Sequence, residues 1–124
     1  MDKLLSIFAL EKIQKNPARL LSGGERRRVE IARSIAGKPK YILMDEPFSG
    51  VDPLAIEEIK NIIKSLSDSK IGILITDHNV RETLGLSDRA YIIYEGNLLI
   101  SGTSTEIVNS DEAKKVYLGN QFNI

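Results

Sequence analysis

Cysteine is absent from the 124 residues, which excludes disulfides, thiolate metal sites and a cysteine nucleophile. A single histidine, His78, likewise excludes most histidine-rich metal centres. The charges cancel, 17 Lys+Arg against 17 Asp+Glu, so no basic surface for nucleic acid or anionic membrane is indicated. The longest apolar stretches, such as Tyr41 to Met44 and Ala90 to Tyr94, fall far short of the about 20 residues a bilayer demands, and no direct membrane span is expected. Met1 is followed by Asp2 and Lys3 without an apolar core or a small-residue cleavage site, so no secretory signal is read and a cytoplasmic location is expected. What is there, 42% hydrophobic and 27% charged residues with no repeat or low-complexity tract, is the composition of one globular unit.

Periodicity predicts alternating helices and strands. Leu4, Leu5, Phe8 and Ile13 suit an amphipathic helix in the first fifteen residues, broken at Gln14 to Pro17. From Ser22 the recurrence of Val29, Ala32, Ile35 and Ala36 predicts a helix that Gly37 and Pro39 end. Tyr41 to Met44 is an unbroken apolar run ending in Asp45 and Glu46, which predicts a strand buried on both faces of a parallel sheet, with the acids at its carboxyl end. Asp52-Pro53 starts a helix whose stripe is Ile56, Ile59, Ile62, Ile63 and Leu66. Ile71 to Thr76 reads as a second buried strand ending in Asp77 and His78, with Asn79 capping a short helix through Leu84. Ala90 to Tyr94 and Leu98 to Ile100 flank Glu95-Gly96-Asn97 as a hairpin, and helices near Thr105 to Val108 and Glu112 to Leu118 follow. Strand, helix, strand implies an α/β fold with parallel strands and crossover helices, its functional groups gathered beyond the strands' carboxyl ends.

Two adjacent acids ending a buried strand suit magnesium-dependent nucleotide hydrolysis: one carboxylate holds the metal while its neighbour, on the other side of the strand, orients or deprotonates water. Taken alone, Asp45 and Glu46 equally suit solvated strand ends or caps, and His78 a structural hydrogen-bonder. Leu21-Ser22-Gly23-Gly24-Glu25 opens a helix with unobstructed amides, a favourable dipole and a hydroxyl, which is a place for a phosphate. The same residues make a capping box, Ser22 as cap and Glu25 three positions on, and both uses are compatible.

In this order the segments resemble the ATP-binding subunits of ABC transporters, from Leu20 onward. Leu21 to Glu25 is similar to the family signature, with Glu25 where most members carry Gln; Tyr41 to Glu46 resembles the Walker B strand, Ser49-Gly50-Val51-Asp52 the D-loop and His78 the switch histidine. The resemblance implies the carboxyl-terminal part of a three-layer P-loop-type ATPase fold, with residues 1–37 ending the helical subdomain and 38–124 carrying Walker B, D-loop, switch histidine, a β-hairpin and closing helices. It implies ATP and magnesium as cofactors, Asp45 holding the metal through water, Glu46 as general base and His78 on the terminal phosphate. It further implies that Ser22, Gly23, Gly24, Glu25 and Asp52 serve the nucleotide of a second ATP-binding subunit in a head-to-tail dimer. Membrane permease subunits are the other implied partners, holding the assembly peripherally at the inner membrane. Within the family, residues 21–33, 45–53 and 75–84, and Val116 to Gly119 with Phe122, are most similar to the lipopolysaccharide-export branch. Branched-chain amino-acid importers share Ser87-Asp88-Arg89 and Tyr117-Leu118-Gly119 and are the alternative.

The P-loop is missing. It requires Gly, four residues, Gly-Lys and Ser or Thr, but at the sole Gly-Lys pair, Gly37-Lys38, Pro39 takes the hydroxyl position and Ala32 that of the first glycine. The chain therefore reads as a fragment, inactive alone: either part of a transport ATPase or a non-catalytic interaction module. A soluble ABC ATPase of DNA repair or translation is disfavoured by the short carboxyl end and the lack of basic excess.

Overall fold

Burial in the computed structural model, which describes residues 2–119, follows the caps and stripes of the sequence most closely in its two longest helices. The order is α1 (Asp2–Ile7), a 3-10 turn (Ala18–Leu20), α2 (Gly23–Ile35), β1 (Tyr41–Asp45), α3 (Pro53–Asp68) and β2 (Gly72–Thr76). Then come α4 (Val80–Leu86), β3 (Ala90–Tyr94), β4 (Asn97–Gly102), α5 (Ser104–Asn109), α6 (Asp111–Ala113) and a π-helical turn (Lys114–Leu118). Phe122 lies outside the described residues. No helix among the described residues is long and apolar enough to cross a membrane. The chain divides into two compact units, residues 1–77 and 78–124.

In the first unit α1 is shorter than the apolar spacing predicts. It ends at Ile7, after which Ala9 takes a positive φ of 50° and Leu10 N donates to Leu5 O at 2.8 Å, a turn that lets both Phe8 and Leu10 be buried. Helix α2 buries Gly24, Ile31 and Ala32, while Ala36 lies beyond its end and is exposed. Arg28 shares that inner stripe, its side chain only 14% exposed, because it is paired with Glu58 of α3. Helix α3 opens on Pro53 behind the cap Asp52 and buries Ala55, Ile59, Ile62, Ile63 and Leu66, with Ile56 half-buried at the edge of the stripe.

Strands β1 and β2 pair in parallel, Tyr41 opposite Gly72 through Asp45 opposite Thr76. Burial alternates along β1: Ile42 and Met44 are inside, whereas Tyr41 and Leu43 are 75% and 76% exposed. The expectation of burial on both faces is thus met on one face only, since no layer among the described residues covers the other. The Tyr41 ring lies over Gly72, where a Cβ would come within 2.5 Å of it.

The second unit is an antiparallel hairpin with short helices around a core of Leu84, Ile92, Ile107 and Ala113. The turn is tighter than the three residues read from the sequence. Tyr94 and Asn97 pair directly across Glu95 and Gly96, whose φ values of 48° and 77° are what a two-residue primed turn requires. Asn79 occupies the cap position of α4 but makes no side-chain capping bond. Thr103, with Glu106 reaching back, gives α5 a full capping box instead.

Candidate functional site

The site residues of the first unit lie on three loops: the entry to α2, the end of β1 and the entry to α3. At the first, the Ser22 hydroxyl accepts from Glu25 N at 3.2 Å and the Glu25 carboxylate accepts from Ser22 N at 2.8 Å. Hydrogen bonding of the carboxylate by the Ser22 amide and then by the Ser22 side chain, with Arg28 adding attraction, holds the Glu25 carboxyl below its ordinary value of 4.5. Of the two uses left open by the sequence, capping is therefore realised in the chain itself. The Glu25 amide is taken by the Ser22 hydroxyl and the Arg26 amide by Ser22 O, while the Gly23 and Gly24 amides precede the first intrahelical bond, so the phosphate use stays compatible with capping.

The two glycines carry a packing constraint that the sequence reading did not include. A Cβ on Gly24 would fall 2.5 Å from the Ala55 Cβ, and one on Gly23 would fall 3.0 Å from Gly50 O. Glycine lets the start of α2 approach both the loop before α3 and its first turn. There Gly50 takes a positive φ of 67° and the Asp52 carboxylate caps Ala55 N at 3.0 Å.

At the end of β1, Asp45 and Glu46 are separated by more than strand alternation. Asp45 is the last residue of the strand, and Glu46 turns out of it with φ 45°, an uncommon value for a non-glycine residue. Four contacts hold that turn. Glu46 N donates to Thr76 O at 2.7 Å, Arg27 donates to Glu46 O at 3.0 Å, Ser49 N donates to the same oxygen at 3.2 Å, and Phe48 N donates to the Asp77 carboxylate at 3.0 Å. The Asp45 carboxylate accepts, through Oδ1, the hydroxyl of Thr76. Buried Pro47 and Phe48 anchor the segment that follows. Glu46 is thus a left-handed non-glycine residue whose conformation is held by contacts from other elements.

Arg27, Thr76 and Asp77 are functional candidates that the motif reading missed. For Thr76 the sequence carried no such signal: pairing the two runs from their starts, Tyr41 with Ile71, sets it opposite Glu46, and only the observed register, Tyr41 opposite Gly72, sets it opposite Asp45. His78 begins the second unit, exposed, with its carbonyl accepting Val80 N at 3.0 Å. The site thus brings Ser22 to Glu25, Asp45, Glu46 and Asp52 into one unit, with His78 two residues beyond the end of β2.

Magnesium bound to nucleotide is held by one or two carboxylates plus phosphates rather than by a full protein cage. The residues present fit that mode: among the described residues no three His, Asp or Glu cluster as a metal site, while Asp45 offers one carboxylate with Oδ1 already engaged. The cavity beside it, between Arg27, Glu30, Ser34 and Asp45, has a volume of about 180 Å³. That is below the ~300 Å³ at which small-molecule sites begin, so it does not enclose a nucleotide.

Comparison with known proteins bears on the family and the fold. The ABC transporter family model matches residues 1–49. The lipopolysaccharide export system ATP-binding protein LptB of Escherichia coli (strain K12) is 53% identical over 123 residues, 99% of this chain and 51% of that protein. Its counterpart in Haemophilus influenzae is 51% identical over the same shares. Among solved structures, the ADP conformation of an ATP-binding cassette of an ABC transporter superposes with a TM-score of 0.84 at 30% identity, covering 95% of this chain and 48% of that one. The fold and the sequence are those of part of an ABC-type ATP-binding cassette. The chain is similar throughout to the ATP-binding domains of ABC transporters and spans about half the length of the curated relatives it matches, corresponding to their carboxyl-terminal part.

Proposed function

We propose that this chain is the part of an ABC transporter's ATP-hydrolysing subunit that carries Walker B, the signature helix, the D-loop and the switch histidine, and that the transport it powers is lipopolysaccharide export. The observation that carries the reading is the 53% identity to LptB along 99% of the chain. The clamped turn at Glu46 supports it. In this reading ATP is held by the half of the domain that the relatives carry outside the matched segment. A head-to-tail dimer presents it to Ser22, Gly23, Gly24, Glu25 and Asp52 of the opposite subunit, and permease subunits hold the assembly on the cytoplasmic face of the inner membrane.

Bound magnesium supplies charge neutralisation on the phosphates. Asp45 would hold it through water, its carboxylate fixed by the Thr76 hydroxyl. Glu46 takes a proton from the water that attacks the terminal phosphate, and its backbone, pinned at both N and O, keeps the carboxylate from drifting. His78 donates to the terminal phosphate as charge develops there. The Gly23 and Gly24 amides of α2 and the Ser22 hydroxyl, as donor, meet the phosphates from the far side of the dimer.

The test uses the complete ATPase, this chain with the other half of the domain. Glu46→Gln is expected to lower kcat by at least about 100-fold while ATP still binds, because an amide keeps the shape but takes no proton. His78→Ala should lose most turnover. Near-normal hydrolysis in either variant removes that residue from the mechanism. Turnover stimulated by lipopolysaccharide supports the export assignment, and stimulation by branched-chain amino acids with their binding protein replaces it. An assembly without turnover leaves only a non-catalytic module.

A further inference from the structure

We propose that Thr76 is a positioning residue for Asp45: its hydroxyl holds one carboxylate oxygen so that the other meets the hydrated magnesium of the bound nucleotide. The inference rests on the functional reading above and adds to it a residue to which that reading gives no role.

The argument starts from register. Asp45 and Thr76 are Cα partners at the carboxyl ends of β1 and β2, so their side chains share one face of the sheet. Neighbouring strands lie about 4.8 Å apart, within reach of a short hydroxyl. The structure places Thr76 Oγ1 as a donor to Asp45 Oδ1. That choice of oxygen matters, because the terminal torsion of an aspartate is broad and nearly two-fold, leaving an unheld carboxylate free to exchange its oxygens. A threonine side chain is stiff at χ1, so its hydroxyl is an aimed donor. Its backbone is pinned as well, through Glu46 N to Thr76 O at 2.7 Å and the Asp77 carboxylate to Phe48 N at 3.0 Å. One residue of β2 therefore holds the side chain of the first acid and the amide of the second.

The hydroxyl occupies Oδ1 and leaves Oδ2 as the oxygen for the hydrated cation. Residues that orient a metal-facing carboxylate without touching the metal typically change metal affinity by 10–100-fold when removed. Thr76→Val keeps the β-branch and the strand propensity and deletes only the donor, whereas Thr76→Ser keeps the donor.

The experiment uses the complete assembly in the Glu46→Gln background, so that ATP stays bound, and follows Mn2+ binding by electron paramagnetic resonance. Thr76→Val should raise the half-saturating Mn2+ concentration about tenfold. Thr76→Ser should stay within about threefold of the parent, and ATP affinity in EDTA should be the same in all three. Unchanged Mn2+ affinity in Thr76→Val, equal loss in Thr76→Ser, or an equal fall in metal-free ATP affinity overturns the inference while leaving the functional reading standing. A parent assembly that binds no ATP overturns both.

Discussion

Glu25 shows how one side chain carries two demands. Its carboxylate completes the capping box with Ser22, and those bonds lower its pKa, so the folded state favours the charged form. The sign follows: a depressed folded value contributes stability that is fully present above the ordinary value of 4.5 and is lost as pH falls through the lowered one. Glu25→Gln, the residue most of the family carries, keeps an oxygen for Ser22 N but no titration. The variant should therefore show a shallower fall in melting temperature than the parent between neutral pH and the acid side of the carboxylate range. Parallel curves would mean that the box does not couple to folding. The capping box itself was legible from Ser22 and Glu25, because its geometry is local. The left-handed turn of Glu46 was not, because nothing in a Glu-Pro pair demands a positive φ, and the contacts that impose it come from Thr76, Arg27 and Asp77.

Between elements, the two glycines that read as a phosphate signature also set the spacing of α2 and α3. Gly24→Ala puts a methyl 2.5 Å from the Ala55 Cβ, an overlap that displaces one helix. Overpacking of this kind costs about 1–3 kcal/mol. Ala55→Gly on the facing helix removes the obstacle, so the double variant should recover most of the loss beyond the propensity cost of about 1 kcal/mol for a glycine in a helix. Additive losses in denaturant melts would show that the approach of the helices is not the constraint. The Arg28 to Glu58 pair lies along the same contact and explains why an arginine belongs to the buried stripe of α2. Helices α2 and α3 were legible in their starts and in most of their buried positions, since caps and 3.6-residue stripes are written locally. Strand β1 was legible as a strand but not in its one-sided burial, because an apolar run states what a residue tolerates rather than which layer is present to cover it.

At the scale of the whole molecule that uncovered face is the dominant feature of the first unit. Parallel sheets are stable when both faces are covered, yet β1 and β2 form a two-stranded sheet whose outer face carries Tyr41, Leu43 and Leu74, the last 56% exposed. Asp45 and Thr76 lie at the end of the same face, so a layer that buries the apolar residues also closes over the carboxylate proposed to meet magnesium. An apolar face next to open strand edges favours self-association. The chain by itself is expected to bind 1-anilinonaphthalene-8-sulfonate and to sediment as a mixture of oligomers, and to release no phosphate from ATP above a buffer blank. Leu43→Ser with Leu74→Ser should cut the dye signal by more than half and shift the chain toward monomer. In the complete domain the same pair should act with the opposite sign, lowering the melting temperature, since there each leucine is a core residue whose truncation costs about 2–5 kcal/mol. Sedimentation and dye binding on the chain, and melting of the domain, read the two halves of this prediction separately. A dye-silent monomer with a sharp thermal transition, or a complete domain indifferent to the two serines, would show that this face is a true surface and that the nucleotide is closed in from another side.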